Sequence, residues 1–286
     1  MSECRLCPRE CGIDRSVKAG FCGCGDEIRA AKYMLHFGEE PCISGTKGSG
    51  AIFFSGCSLR CVFCQNYPIS HDLKGENVPV ERLWEMMCEL RDKGAHNINF
   101  VTGTHYADKI AQVLRLHKPE LGIPVVYNCG GYEKVETLKM LDGLIDIYLP
   151  DIKYFDSGLS QKYSAAPDYF ENALPALKEM LRQQPEAVIN DDGIMQRGVI
   201  VRHLVLPKGY HDSMKLLDEI ATLPVRPLVS IMRQYTPCYG AEIYPEINRR
   251  LTSFEYDKVT EHCAELGLDG FMQEKGCENL DMTPEF

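Results

Sequence analysis

The chain has 286 residues, 44% hydrophobic and 25% charged, with a formal net charge of −10, which describes a globular protein long enough for one large domain and an appendage. Acidic residues spread along the chain argue against broad affinity for nucleic acid or an anionic membrane. No apolar run reaches bilayer-spanning length, and the N-terminus, MSECRLCPREC, has charges and cysteines where a secretory leader needs an apolar stretch, so a cytoplasmic protein is expected.

In a reducing compartment, fourteen cysteines point to metal ligands or free thiols rather than disulfides. Nine of them precede residue 65. Residues 1–48 are read as a cysteine-rich metal-binding segment with its linker. Cys4, Cys7, Cys11 and Cys22 are spaced C-x2-C-x3-C-x10-C, with Cys24 in reserve for Cys22, and Gly12, Gly20, Gly23 and Gly25 supply tight turns. A segment this short has little core, so a metal would explain its folding, and four thiolates suit zinc or a second iron–sulfur cluster equally. In the linker LHFGEEPCISGTKGSG, residues His36, Glu39 and Glu40 could reach a metal or cation, and a polar loop is the preferred reading. GTKGSG lacks the order of a phosphate loop and precedes a strand instead of following one.

From residue 49 to 286 short β-rich runs alternate with helical ones. Strands are expected at 51–55, 97–103, 123–129, 146–153, 198–207 and 228–235. Apolar stripes at Leu83, Met87 and Leu90, at Leu174, Leu177 and Leu181, and at Met214, Leu217 and Ile220 mark helices between them. Residues 185–198 read as a polar loop, and the C-terminal part as a helical and irregular extension. Val- and Ile-rich strands separated by helices indicate an α/β protein with parallel βαβ units. Six strands fit a partial (β/α)6 barrel, and a doubly wound open sheet is the alternative.

Directly after the first strand comes GCSLRCVFCQNYP, with Cys57, Cys61 and Cys64 in a C-x3-C-x2-C pattern. A four-iron cluster needs one ligand per iron, so three cysteines leave one iron open for chemistry. Structural zinc usually wants four ligands. Cys88, Cys129, Cys238, Cys263 and Cys277 read as small core residues. In parallel α/β folds functional groups gather beyond the carboxyl ends of the strands, and here those ends are polar: VTGTH (101–105), YNCGGY (127–132), PDIKYFD (150–156), RHLVLPKGYH (202–211) and MRQYTP (232–237). Only one of Arg202 and His203 can face the barrel interior, since strand neighbours alternate. His105 and His211 read as loop histidines, and Tyr67, Tyr132, Tyr235 and Tyr239 as packing residues with one polar contact each.

The runs CRLCPREC, EEPCISG, FCQNYPIS, VTGTH, YLPDIKY, VRHLVLPKG and EYDKVTEHCAELGL together resemble the radical S-adenosylmethionine (SAM) superfamily. Within it they are most similar to homologues of the pyruvate formate-lyase activating enzyme that carry an N-terminal cysteine-rich segment. The resemblance covers nearly the whole chain. It implies a partial barrel, a 4Fe–4S cluster on Cys57, Cys61 and Cys64, and an open iron that binds SAM for cleavage to a 5′-deoxyadenosyl radical. It also implies that Asp151 and Lys153 face SAM or a bound cation near it and that Thr102, Gly103 and Thr104 stand at the SAM-binding strand end. Phe63, Asn128 and an inward Arg202 are added as SAM-contact candidates on their chemistry. Thr102–Gly103–Thr104 stands where the family often has Gly-Gly-Glu, so this chain has no acid there. A flavodoxin or ferredoxin is the implied reductant and a glycyl radical enzyme the implied substrate. Radical modification of a small molecule, nucleotide or peptide is the alternative enzyme reading. The non-catalytic alternative, an iron–sulfur electron carrier, would saturate every iron with protein ligands, and Cys57, Cys61 and Cys64 have no evident fourth partner in the sequence around them.

Overall fold

The computed structural model describes residues 3–276 and 284–286; Cys277, read as a core thiol, lies outside the described residues. The chain joins the sheet before its first expected strand. Ile28–His36 forms β1, followed by the short helix α1 (Pro41–Ser44) and by β2 (Ser49–Phe54). β1 pairs antiparallel with β2, and after α2 (Tyr67–Ser70) the edge strand β3 (Glu76–Val78) pairs antiparallel with β1. Helices and strands then alternate: α3 (Val80–Asp92), β4 (Ile98–Val101), α4 (Ala107–Leu121), β5 (Val125–Cys129), α5 (Val135–Met140) and β6 (Ile147–Pro150). Two helices follow, α6 (Ser157–Ser164) and α7 (Tyr169–Gln183). The stretch expected to be a polar loop is instead a hairpin, in which β7 (Val188–Ile189) pairs with the start of β8 (Met195–Leu204) around a turn containing Gly193 at φ +77°. The chain continues through α8 (Tyr210–Ala221), β9 (Leu228–Met232), α9 (Ser253–Glu265) and β10 (Gly270–Met272).

β2, β4, β5, β6, β8 and β9 are parallel, each hydrogen-bonded to the next, so spatial order follows chain order. That is the winding of a barrel; a doubly wound sheet would reverse from a central strand. The fold is therefore the partial barrel, extended by β10 at one edge and by β1 and β3 at the other.

Side-chain alternation gives the sheet two faces. Ile98 and Phe100 of β4, Val125 and Tyr127 of β5, and Val199 and Val201 of β8 pack outward in one core with Leu83, Met87 and Leu90 of α3 and Leu177 and Leu181 of α7. Each fully buried side chain of this kind stabilises by about 1.5–3 kcal/mol. The inward face starts apolar: Val126, Ile147, Leu149 and Ile200 cluster with Cys42 and Ile43. His36 pairs with Ser49, the first residue of β2. The β1–β2 connection therefore lies at the amino-terminal end of the parallel strands, and α1 closes the barrel interior from that end. Among the described residues no helix is long and apolar enough to cross a membrane.

Candidate active site

A cavity of about 630 Å³ occupies the barrel interior, and Cys57, Cys61, Cys64, Thr102, Thr104, Asn128, Asp151, Lys153 and Arg202 all line it. The cysteine loop begins at Gly56, whose φ of +85° and 2.7 Å clearance between a notional Cβ and the Cys22 carbonyl leave room for glycine alone. Val62 N–H donates to the Tyr163 carbonyl at 2.9 Å, anchoring the loop. Phe63 is buried edge-on to Tyr235, with ring centres 5.8 Å apart.

The three thiols are free of disulfides. Leu59 N–H donates to Cys57 Sγ at 3.4 Å and Ser164 Oγ to Cys61 Sγ at 3.0 Å, and Ser70 Oγ lies 3.2 Å from Cys64 Sγ. Burial pushes all three thiols up, Cys64 to about 12, while the charge of Lys153 pulls each of them down. Among the described residues no three His, Cys, Asp or Glu side chains already form a metal cage. The donor set nevertheless fits a 4Fe–4S cluster with an open iron: three soft thiolate ligands on one cavity wall, donors directed at their sulfurs, and a cation nearby.

Facing the cysteines is a charge network centred on Arg202. Its Nε donates to Asp151 Oδ1 at 2.8 Å, and its two terminal nitrogens donate to Glu39 Oε2 at 2.8 Å and Asn128 Oδ1 at 2.6 Å. Lys153 Nζ donates to Asp151 Oδ2 at 2.7 Å. Burial alone would raise the Asp151 carboxyl, but Arg202 and Lys153 together hold it below its usual value. The Asp151–Lys153 pair is thus part of the barrel interior, with side-chain exposures of 21% and 17%. Register decides the choice between neighbours on β8. Arg202 faces the cavity, while His203 faces outward, with Nδ1 2.7 Å from the Ile152 carbonyl and Nε2 2.8 Å from Ser213 Oγ. Burial lowers His203 to about 4, a neutral packing histidine.

At the end of β4, Thr102 adopts the left-handed region at φ +62°. Gly103 packs on the α4 side, where a Cβ would meet Ile110 at 2.6 Å. Thr104 Oγ1 donates to Glu133 Oε1 at 2.6 Å. Glu133, fully buried behind Thr104 and not among the residues that line the cavity, is raised by burial to about 7. His105 is buried, with Nε2 2.7 Å from the Ser55 carbonyl, while His211 is exposed on α8. Tyr132 and Tyr235 are buried, whereas Tyr67 and Tyr239 stack at 5.1 Å on the surface.

For Glu39 and Glu40 the sequence reading preferred a polar loop to a cation site. They are no polar loop: both line the cavity, and Glu39 Oε1 accepts from Asn99 at 2.9 Å and from Asn128 at 3.2 Å. The available signal was two adjacent acids just before Pro41, a residue suited to a helix start.

The N-terminal cysteines dock on this site. Cys57 N–H donates to the Cys22 carbonyl at 3.3 Å. Arg9 donates to the carbonyls of Ser58, Ala165 and Ser164 at 2.8, 2.6 and 3.3 Å, with its guanidinium 3.9 Å from the Phe21 ring centre. Cys11 and Cys22 thiols flank Gly20, where a Cβ would meet them at 3.5 and 3.7 Å, and burial raises the Cys7 thiol to about 12. Cys4 is tied through its backbone to Gly12 and Ile13. Cys24 is buried beside Cys22, its thiol 3.2 Å from the Ser55 carbonyl.

A family model described as "Radical SAM superfamily" matches residues 51–194. The uncharacterized protein MJ0674 of Methanocaldococcus jannaschii is 31% identical over 274 residues, 93% of this chain and 75% of that one. Among solved structures, Streptococcus suis SuiB bound to S-adenosylmethionine is 14% identical, with a TM-score of 0.53 over 80% of this chain and 49% of SuiB. Methylornithine synthase (PylB) is 15% identical, with a TM-score of 0.52 over 82% of this chain and 77% of that one. These two likenesses speak to the fold alone.

Proposed function

Because this chain belongs to the radical SAM superfamily, whose members are enzymes working with a 4Fe–4S cluster and S-adenosylmethionine, we propose that Cys57, Cys61 and Cys64 ligate three of the cluster's irons and that the cavity beside them receives SAM and substrate. The observation that carries this reading is the sharing of one 630 Å³ cavity by the three thiols and the Arg202–Asp151–Lys153 network. When bound, the cluster supplies the electron that cleaves SAM to a 5′-deoxyadenosyl radical, which takes a hydrogen atom from the substrate.

The chain's own residues bind and orient. Lys153, close enough to lower all three thiols, neutralises negative charge at the cluster and offers a donor to the SAM carboxylate. Asp151, held ionised by Arg202 and Lys153, accepts from a ribose hydroxyl or an ammonium. Thr102, Thr104 and Asn128 supply hydroxyl and amide groups. Gly103 lets the chain pass close to Ile110, and Phe63 packs beneath the cysteine loop.

The substrate class suggested by the sequence is a backbone glycine of a partner enzyme, activated as a glycyl radical. A second reading, a small polar molecule, is favoured by the charged wall and by α1 closing the interior from the amino-terminal end. A low-potential flavodoxin or ferredoxin would deliver the electron. We place a second metal, zinc or iron–sulfur, on Cys4, Cys7, Cys11 and Cys22, docked against the cysteine loop.

The test is anaerobic. Protein reconstituted with iron and sulfide, reduced with dithionite and given SAM should yield 5′-deoxyadenosine, and Cys61→Ala should yield none. Undiminished product in Cys61→Ala would overturn the ligand assignment. SAM should also perturb the EPR spectrum of the reduced cluster, and an unperturbed spectrum with intact SAM would favour the electron-carrier reading.

A further inference from the structure

The charges lining the cavity do not balance. Glu39, Glu40 and Asp151 face Arg202 and Lys153. Arg202 spends its donors on Asp151, Glu39 and Asn128, and Lys153 donates to Asp151. Glu39 is satisfied on both oxygens by Arg202, Asn99 and Asn128. Glu40 is the acid left over. It is 8% exposed, it lines the cavity, and its Oε2 is buried with no hydrogen-bond partner. An unpaired buried carboxylate is among the costliest groups a fold can carry, and a native one calls for a reason. Burial, the largest influence, raises the Glu40 carboxyl, and the nearby Arg202 charge and the Ser230 hydroxyl offset it only in part, so the fold leaves this acid short of a cation.

The surroundings describe what would pair with it. One inward step above Arg202 and Ser230, Leu204 on β8 and Met232 on β9 line the same cavity and make the wall apolar on the side nearer the strand ends. A group reaching Glu40 from the cysteine loop therefore passes an apolar stretch before meeting an unpaired acid. We propose that Glu40 is the subsite for a protonated amine at the end of a short alkyl chain, so that the substrate is an alkylammonium compound. This rests on the reading of the cavity as the substrate chamber. A bound ammonium would stabilise the ionised form that burial disfavours and give the Oε2 atom the donor it lacks.

The test compares ligands of one shape. Propylammonium, propanol and potassium ion are each titrated into the reconstituted holoprotein with SAM present, and the melting temperature is followed. Propylammonium should bind about tenfold or more tightly than propanol, as a charged hydrogen bond predicts. Potassium should have no such effect, and Glu40→Gln should abolish the difference between amine and alcohol. Equal responses to amine and alcohol would overturn the proposal. So would a matching potassium response, which means an inorganic cation site, or a preference for amine that persists in Glu40→Gln. Loss of SAM's effect on the cluster EPR spectrum in Glu40→Gln would likewise overturn it, by assigning the acid to SAM. Should Glu40→Gln not fold, Glu40→Asp keeps the charge but withdraws it by one methylene, and an unchanged amine affinity there refutes the subsite. The 5′-deoxyadenosine assay of the wild-type protein is independent, so failure of the radical chemistry and failure of the subsite are separately visible.

Discussion

At the residue scale, position on a strand decides role. Arg202 and His203 are neighbours, yet one anchors the cavity wall and the other packs under α8 through Ser213. The carbonyl of Ile152 can only accept, so Nδ1 of neutral His203 carries its hydrogen. Burial holds this ring at about 4, below its ordinary 6.5. A base depressed in the folded state stabilises above its unfolded value and loses that contribution as pH falls toward the folded one. Wild-type stability should therefore fall between pH 6.5 and 4 by up to about 3 kcal/mol more than that of His203→Gln, measured by denaturant titration at each pH. Parallel pH profiles for the two proteins would refute it. The alternation of these two residues is legible in the sequence because strand side chains alternate by rule; which one turns inward is not, because that depends on pairing with β6 and β9.

Elements were legible where composition and length agreed. The six parallel strands are short apolar runs, and the α3 stripe is buried as its spacing predicts, whereas on α7 Leu177 and Leu181 are buried and Leu174 only partly so. β1 was missed because IRAAKYMLH has weak strand composition and owes its conformation to pairing with β2. β7 and α1 were missed because two and four residues carry no periodicity. The cysteine loop is the element on which the site depends, and Gly56 is where it meets the N-terminal segment. In Gly56→Ala the left-handed backbone costs about 1–2 kcal/mol, and the new methyl collides with the Cys22 carbonyl and the Cys24 thiol. Expected outcomes are a lower melting temperature and several-fold less iron per chain after reconstitution. Wild-type iron content and stability would show that the close contact between the two segments is dispensable.

For the whole molecule, the N-terminal segment and the barrel form one packed unit through Arg9, Cys22 and the Arg60 donor to the Phe21 carbonyl at 3.0 Å. Docking brings the two cysteine sets together, so a metal on the first would support the loop that carries the second. If Cys4, Cys7, Cys11 and Cys22 hold a metal of their own, the Cys57, Cys61, Cys64 triple-alanine protein should still contain zinc or iron by elemental analysis. A folded, metal-free triple variant would remove the second site.

What the sequence determined by itself was local in kind. Cysteine spacing puts three thiols on one short loop, the basis on which a three-ligand cluster is proposed, since residue identity and order are written along the chain. Alternating β and helical runs name a parallel α/β protein, since period and composition are written along the chain. Only tertiary structure decided which polar residues share the cavity. Glu39 and Arg202 are 163 positions apart and meet at 2.8 Å, and Glu40 lies buried with its Oε2 lacking a partner because the β1–β2 connection folds into the barrel instead of lying on its surface. Such contacts depend on strand order and register, which no short stretch of sequence contains.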